Sequence, residues 1–210
     1  MLEIIKHQLL SYPIKAISPK LEDQDNSAAV MIIMHGDPLD PRIVLTQRAA
    51  HLNKHAGEVA FPGGMWEKED ENLLSTALRE TEEEIGLSAE LMTPIAMLPI
   101  RSPKTSNVNV YPFVCLADTP LKLTPQPSEI AAIFDLPIEC LTEIERYGYF
   151  EIGKGSDKVE LPYFAYQSFK IWGFTMHILV DMLNRTLDTK IHLRYPDPEK
   201  INRLRQQENK

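Results

Sequence analysis

Apolar residues recur along this chain in two spacings, and the switches between them lay out the elements. Leu2, Ile5 and Leu9 fall at helical spacing and predict a short amphipathic helix within residues 1–12. Residues 29–35 are apolar and rich in strand formers, and predict a buried strand. Turn residues follow at 35–38, then a second strand at 42–46, so the two predict a hairpin. Residues 51–57 predict a loop and 58–61 a short strand, which Pro62, Gly63 and Gly64 end.

Over residues 70–85 the period becomes helical. Leu74, Ala77, Leu78, Thr81 and Ile85 share one face at about 100° per residue. Asp70 and Glu71 suit the helix start, and Gly86 suits a left-handed stop. Strands at 91–100 and 108–116 are joined by residues 101–107. A further strand is expected at 129–134, a short helix at 138–144, and a hairpin of strands at 147–152 and 159–171. A long helix follows at 172–186, with Phe174, Ile178 and Met182 on one face. Residues 19–27 read as a polar loop and 194–210 as a charged tail. Elements alternating in this irregular way, without repeats, predict one α/β domain over residues 1–210: a mixed sheet with helices packed on it.

Composition narrows the partners. The formal net charge is -8, which argues against a dedicated nucleic-acid binder, whose affinity comes mostly from a basic surface. A small phosphorylated substrate needs only a local cationic patch. No stretch approaches the roughly 20 apolar residues of a membrane span. Glu3, Lys6 and His7 interrupt the first apolar positions, unlike a signal peptide. Cytoplasm is therefore the default location. Cys115 and Cys140 have no metal-binding spacing and lie in apolar runs; they read as two buried free thiols. The charged tail leaves a homodimer interface open.

The most informative stretch is Arg79, Glu80, Thr81, Glu82, Glu83, Glu84, Ile85, Gly86 and Leu87. With Glu80 at the angular zero, Glu83 lies near about -60° and Glu84 near about +40°, so the three share one side of the helix. Glu80 and Glu84 form a like-charged i,i+4 pair costing a few tenths of a kcal/mol. The helix dipole disfavours negative charge in these last turns by roughly 0.3–1 kcal/mol per group. A divalent cation reverses both effects, and Mg²⁺ and Mn²⁺ take hard oxygen ligands of this kind. The bland alternative is a solvated acidic face. Gly63 and Gly64, which permit close backbone approach, and Arg79, which can orient carboxylates or touch phosphate, weigh against it.

These residues resemble the Nudix box, G-x5-E-x7-R-E-U-x-E-E-x-G-U, where U is apolar. From Arg79 onward the only departure is Thr81 at an apolar position. Before it, fourteen residues separate Gly64 from Arg79 where the motif has thirteen: Asp70 keeps the spacing from the glycine, Glu71 that from the arginine. The coenzyme A pyrophosphatase branch has this longer spacer and an upstream signature close to L-L-T-x-R-[SA]-x3-R-x3-G-x3-F-P-G-G. Val44, Leu45, Thr46, Arg48, Ala49, Gly57, Phe61, Pro62, Gly63 and Gly64 match it, whereas Asn53, beside Lys54, replaces its second arginine. Residues 171–175 also look like the segment opening that branch's last helix.

The resemblance implies a Nudix fold, an α/β/α sandwich around a mixed sheet. It also implies Mg²⁺- or Mn²⁺-dependent hydrolysis of a nucleoside diphosphate linked to another group. For the coenzyme A branch the products are 3′,5′-ADP and 4′-phosphopantetheine. Other nucleotides such as ADP-ribose or NADH, and a non-catalytic Nudix-like regulator, are the alternatives. Glu80, Glu83 and Glu84 are the candidate metal ligands, with the Gly63 and Gly64 turn beside a metal or phosphate and Arg79 fixing the carboxylates. Glu80 or Glu83 is a candidate general base, and Glu129 an outside one. Arg48, Lys54 and Lys104 are candidate phosphate contacts, with Arg48 and Lys54 assigned to the 3′-phosphate. His51 and His55 read as surface histidines or phosphate contacts. Trp66 and Trp172 read as core or rim packing ahead of adenine stacking.

Overall fold

A computed structural model describes residues 1–15, 26–103, 107–153, 158–197 and 199–201. Its elements are α1 (Leu2–Leu9), β1 (Ser27–Asp37), β2 (Asp40–Arg48), β3 (Val59–Ala60), β4 (Gly63–Met65), α2 (Leu73–Ile85), β5 (Met92–Met97), β6 (Asn109–Ala117), β7 (Ile130–Pro137), β8 (Tyr147–Ile152), β9 (Val159–Tyr166), β10 (Phe169–Trp172) and α3 (Gly173–Thr186). Among the described residues no helix is long and apolar enough to cross a membrane.

The layers follow from strand alternation. Ala29, Met31 and Ile33 of β1 pack with Leu73, Ala77 and Ile85 of α2. Ile32 and Met34 point the other way, into a core shared with Ile5 and Leu9 of α1 and Leu179 and Leu183 of α3. A mixed sheet is thus enclosed by helices on both faces, the α/β/α arrangement expected.

Strand β1 is the pivot. It runs parallel to β6 from Ser27 to Met34. Its opposite edge is shared: β2 pairs with it at one end, through residues 34–37, and β4 at the other, through residues 28–30. The β1–β2 hairpin therefore splays apart, and the chain near Pro62 enters the split, where the Met31 amide donates to the Pro62 carbonyl at 2.8 Å. Beyond the split, β2 pairs with β7 and β3. This split positions the site, because it brings Gly63 and Gly64 against α2.

Several expectations need correction. Gly63 and Gly64 do not merely end a strand; they begin β4. Helix α2 starts at Leu73, not at 70, because the Asn72 side chain accepts from the Leu74 and Ser75 amides at 3.0 and 3.2 Å. Its stop is as expected: Gly86 has φ 68°. The run at 159–171 is two strands separated by a turn at Gln167, whose φ is 52°, so β8, β9 and β10 make a second, three-stranded sheet. Residues 138–144 form short 3-10 turns, Glu139–Thr142 and Ile144–Arg146, in place of a helix. Cys115 is buried but Cys140 is only half-buried, and both are free thiols.

Candidate active site

Two carboxylates of α2 face the β4 turn. Glu84 is 3% exposed, and its Oε2 accepts the Gly63 amide at 3.1 Å. Gly63 has φ +148°, and a Cβ there would strike the β1 backbone at Ala29 and Val30. At Gly64 a Cβ would strike the Glu80 carboxylate itself. Both glycines are therefore required by close approach, and the second is required by the site. From the β2 side, Arg48 Nη1 lies 3.6 Å from Glu84 Oε1, and among the described residues its buried Nε has no hydrogen-bond partner.

Arg79 organises the outer side of the cluster. It holds Asp70 through two bonds, Nε to Oδ1 and Nη2 to Oδ2, both 2.9 Å. Its Nη1 donates to Glu80 and to Glu83, each at 3.0 Å, and Nη2 to the Met65 carbonyl at 3.2 Å. Asp70 is itself buried and also accepts from Thr76 Oγ1 at 2.8 Å and the Glu67 amide at 3.0 Å. So Asp70, the residue that keeps the spacing from the glycine, fills the early acidic position, while Glu71 is exposed. Thr81 is fully buried because its hydroxyl donates to the Ala77 carbonyl within the helix, which removes the cost of a polar group at an apolar position.

The electrostatics match this packing. Burial pushes Glu84 up to about 7, with Glu80 and Glu129 adding to the rise and the Gly63 amide and Arg48 opposing it. Burial also raises Glu80, opposed by Arg79 and supported by Glu83 and Glu129. Burial works against ionising Asp70 too, but the bonds from Arg79, Glu67 and Thr76 outweigh it and hold that carboxyl below its usual range. The bond to Asp70 is the main reason Arg79 is held firmly charged.

The loop between β6 and β7 completes the surround. The last carbonyls of α2 lack partners within the helix, and this loop satisfies them: the Thr124 amide donates to Ile85 at 2.8 Å and the Gln126 amide to Glu84 at 2.9 Å. That docking sets the Glu129 backbone beside the end of α2, and the Glu129 charge adds to the rise of Glu80 and Glu84.

Not every candidate converges. Glu83 turns outward, its side chain 59% exposed and engaged by Arg79. Among the described residues no three acidic, histidine or cysteine side chains form a ready-made metal cage. Lys54 is exposed on the loop at 50–57, and Lys104 lies outside the described residues. Arg48 sits against Glu84, beside the carboxylate pair. His55 pairs with Glu58 at 2.9 Å, and His51 bonds to the Ser128 carbonyl at 3.1 Å. Trp172 packs edge-on to Phe150 at 5.6 Å, and Trp66 packs beneath the α2 side of the sheet. Sequence reasoning missed the docking of the 118–129 loop on α2, since backbone bonds between segments leave no residue-type signature.

Buried Glu84 and half-buried Glu80 lie against the Gly63 and Gly64 turn, beside Arg48 and at the split of a mixed sheet. The chain matches the NUDIX domain family over residues 25–149. It is 34% identical over 161 residues to an uncharacterized Nudix hydrolase, NudL, of Photorhabdus laumondii, covering 76% of this chain and 84% of that protein. To the NudL of Yersinia pestis strain Pestoides F it is 34% identical over 193 residues, covering 85% of this chain and 96% of that one. The crystal structure of RenU, a Nudix hydrolase from M. smegmatis, has a similar fold, with a TM-score of 0.53 at 15% identity over 81% of this chain and 91% of that one. This chain belongs to the Nudix hydrolase family, pyrophosphohydrolases of nucleoside diphosphate derivatives.

Proposed function

We propose that this enzyme hydrolyses the diphosphate bond of coenzyme A or an acyl derivative, giving 3′,5′-ADP and 4′-phosphopantetheine or its acyl form. The observation that carries the reaction is Glu84, a carboxylate almost removed from water beside a second one, with the Gly63 amide and a 3.6 Å contact to Arg48 set against its charge. Such a group is costly as a bare anion, and a bound cation offsets that cost. The donor set fits Mg²⁺ or Mn²⁺: hard carboxylate oxygens of Glu80 and Glu84, with the Gly64 backbone alongside and Glu83 on the rim. A divalent cation held by Glu80 and Glu84 would supply neutralisation of the diphosphate charge and acidification of the attacking water.

The chain's own groups do the remainder. Arg79, anchored on Asp70, fixes Glu80 and Glu83. Arg48, which lies beside Glu84, contacts the diphosphate. Glu129 takes the proton of the water as its oxygen bonds to phosphorus, and the bridging P–O bond breaks with its electron pair leaving on the departing phosphate. Lys54 contacts the 3′-phosphate. The sequence resemblance over residues 44–64 supports coenzyme A over other nucleotides. We also read residues 1–210 as one domain.

Purified protein should be incubated with coenzyme A, acetyl-coenzyme A, dephospho-coenzyme A, ADP-ribose and NADH, in Mn²⁺, in Mg²⁺ and in chelator, with products separated by chromatography. Metal-dependent release of 3′,5′-ADP, with the highest kcat/KM on a coenzyme A substrate, is expected. A preference for ADP-ribose or NADH overturns the substrate and leaves the reaction standing. Nucleotide binding without any turnover overturns the reaction.

A further inference from the structure

We propose that His51 is a positioning residue that holds the 126–129 loop, and with it the Glu129 carboxylate, against the Glu80 and Glu84 pair. This rests on the role given to Glu129 above. Three contacts fix the base of that loop. The Gln126 amide donates to the Glu84 carbonyl at 2.9 Å, the Ala49 amide donates to the Glu129 carbonyl at 2.7 Å, and His51 Nε2 donates to the Ser128 carbonyl at 3.1 Å. The first two are backbone bonds, available to any sequence. The third uses a side chain, so it is a point at which this chain's own residue choice sets the loop.

The geometry links three parts of the site. His51 sits three residues beyond Arg48, on the segment leaving β2. Its partner Ser128 immediately precedes Glu129. The other end of the same loop is tied to the carbonyl of Glu84 itself. Within the loop, the Glu129 and Ile130 amides both donate to the Gln126 carbonyl, at 2.9 and 2.8 Å, so 126–130 moves as one tight turn. A shift at Ser128 therefore carries Glu129 with it. His51 must present an N–H at Nε2, which both the protonated ring and one neutral tautomer do. A glutamine amide offers a donor at similar reach; an alanine offers none.

The hydrogen bond is exposed, so losing it should move the melting temperature by no more than about 3 °C. Losing the placement of a proton acceptor should cost far more in rate. The variants His51→Ala and His51→Gln are made in the full chain, alone and combined with Glu129→Gln. His51→Ala is expected to lower kcat about tenfold with little change in KM, and His51→Gln to keep most of the activity. Amide exchange at Ala49, Glu129 and Ile130 should be faster in His51→Ala than in wild type. In the Glu129→Gln background, His51→Ala should cost nothing further. An unchanged kcat in His51→Ala, unchanged exchange, or the same tenfold loss persisting without the Glu129 carboxylate, each overturns the proposal. If wild type turns over no nucleotide, the functional reading falls by itself, and unchanged exchange in His51→Ala would separately show that the loop needs no latch.

Discussion

At the scale of single residues, the site is a set of groups that make poor structural choices. Glu84 is buried as a carboxylate, with the Gly63 amide and Arg48 beside it. Replacing it by glutamine keeps the size and the bond from the Gly63 amide but removes the charge. Glu84→Gln should fold normally by circular dichroism while kcat falls at least about 100-fold, since a cation ligand and its charge are lost together; near-normal turnover would take Glu84 out of the site. Arg48 was assigned from sequence to the 3′-phosphate; from its place 3.6 Å from Glu84 we propose that it serves the diphosphate instead. Losing a charge-assisted phosphate contact costs roughly 1.5–3 kcal/mol, or about 10- to 150-fold. Arg48→Ala should therefore lower kcat/KM on coenzyme A and dephospho-coenzyme A by the same factor, whereas Lys54→Ala should affect only coenzyme A. A loss confined to coenzyme A in Arg48→Ala would return that arginine to the 3′-phosphate.

At the scale of elements, helix α2 separates stability from chemistry along its length. Its start is a local device: Asn72 accepts two amides and nothing at the site depends on its side chain. Asn72→Ala should cost about 1 kcal/mol, seen as a melting temperature lower by about 2–4 °C, with kcat within a factor of about two. Its end is where function overrides the dipole, and there the 118–129 loop supplies the donors that cationic side chains would otherwise supply. These two ends also show what was legible in the sequence. Periodicity and the Gly86 stop gave α2 its face and its terminus, since both are encoded locally. The start was placed early because Asp70 looks like a first-turn acid, whereas tertiary pairing with Arg79 takes it out of the helix. The three-carboxylate side was legible from angle alone. The outward turn of Glu83 was not, because it depends on where Arg79 is held by Asp70. Likewise β4 was read as a strand end, since pairing across the split in β1 is set by a partner distant in sequence.

At the scale of the whole molecule, the proposed metal site predicts a coupling between its occupancy and the stability of the fold. Glu84 moves from an ordinary value of 4.5 to about 7 on folding. A raised carboxyl favours the protonated folded state, so the stability it contributes is complete below about 4.5 and is lost as pH rises through 7. The span of that shift corresponds to about 3 kcal/mol at most. In chelator, wild type and Glu84→Gln should melt together near pH 4.5, and wild type should fall progressively below the variant as pH rises to 8. Bound Mn²⁺ should reverse the order, because a ligand that binds only the folded state stabilises it, by about 2.7 kcal/mol at a hundred times its dissociation constant. The cation also prefers the ionised carboxylate, so its effect on wild type should grow with pH over the interval where the metal-free protein weakens. Glu84→Gln lacks that charge and should gain little from Mn²⁺ at any pH. Differential scanning calorimetry of both proteins across pH 4.5–8, with and without millimolar Mn²⁺, reads all four curves. A wild-type melting temperature indifferent to Mn²⁺ at pH 8 would mean that the acidic side of α2 is only a solvated helix face.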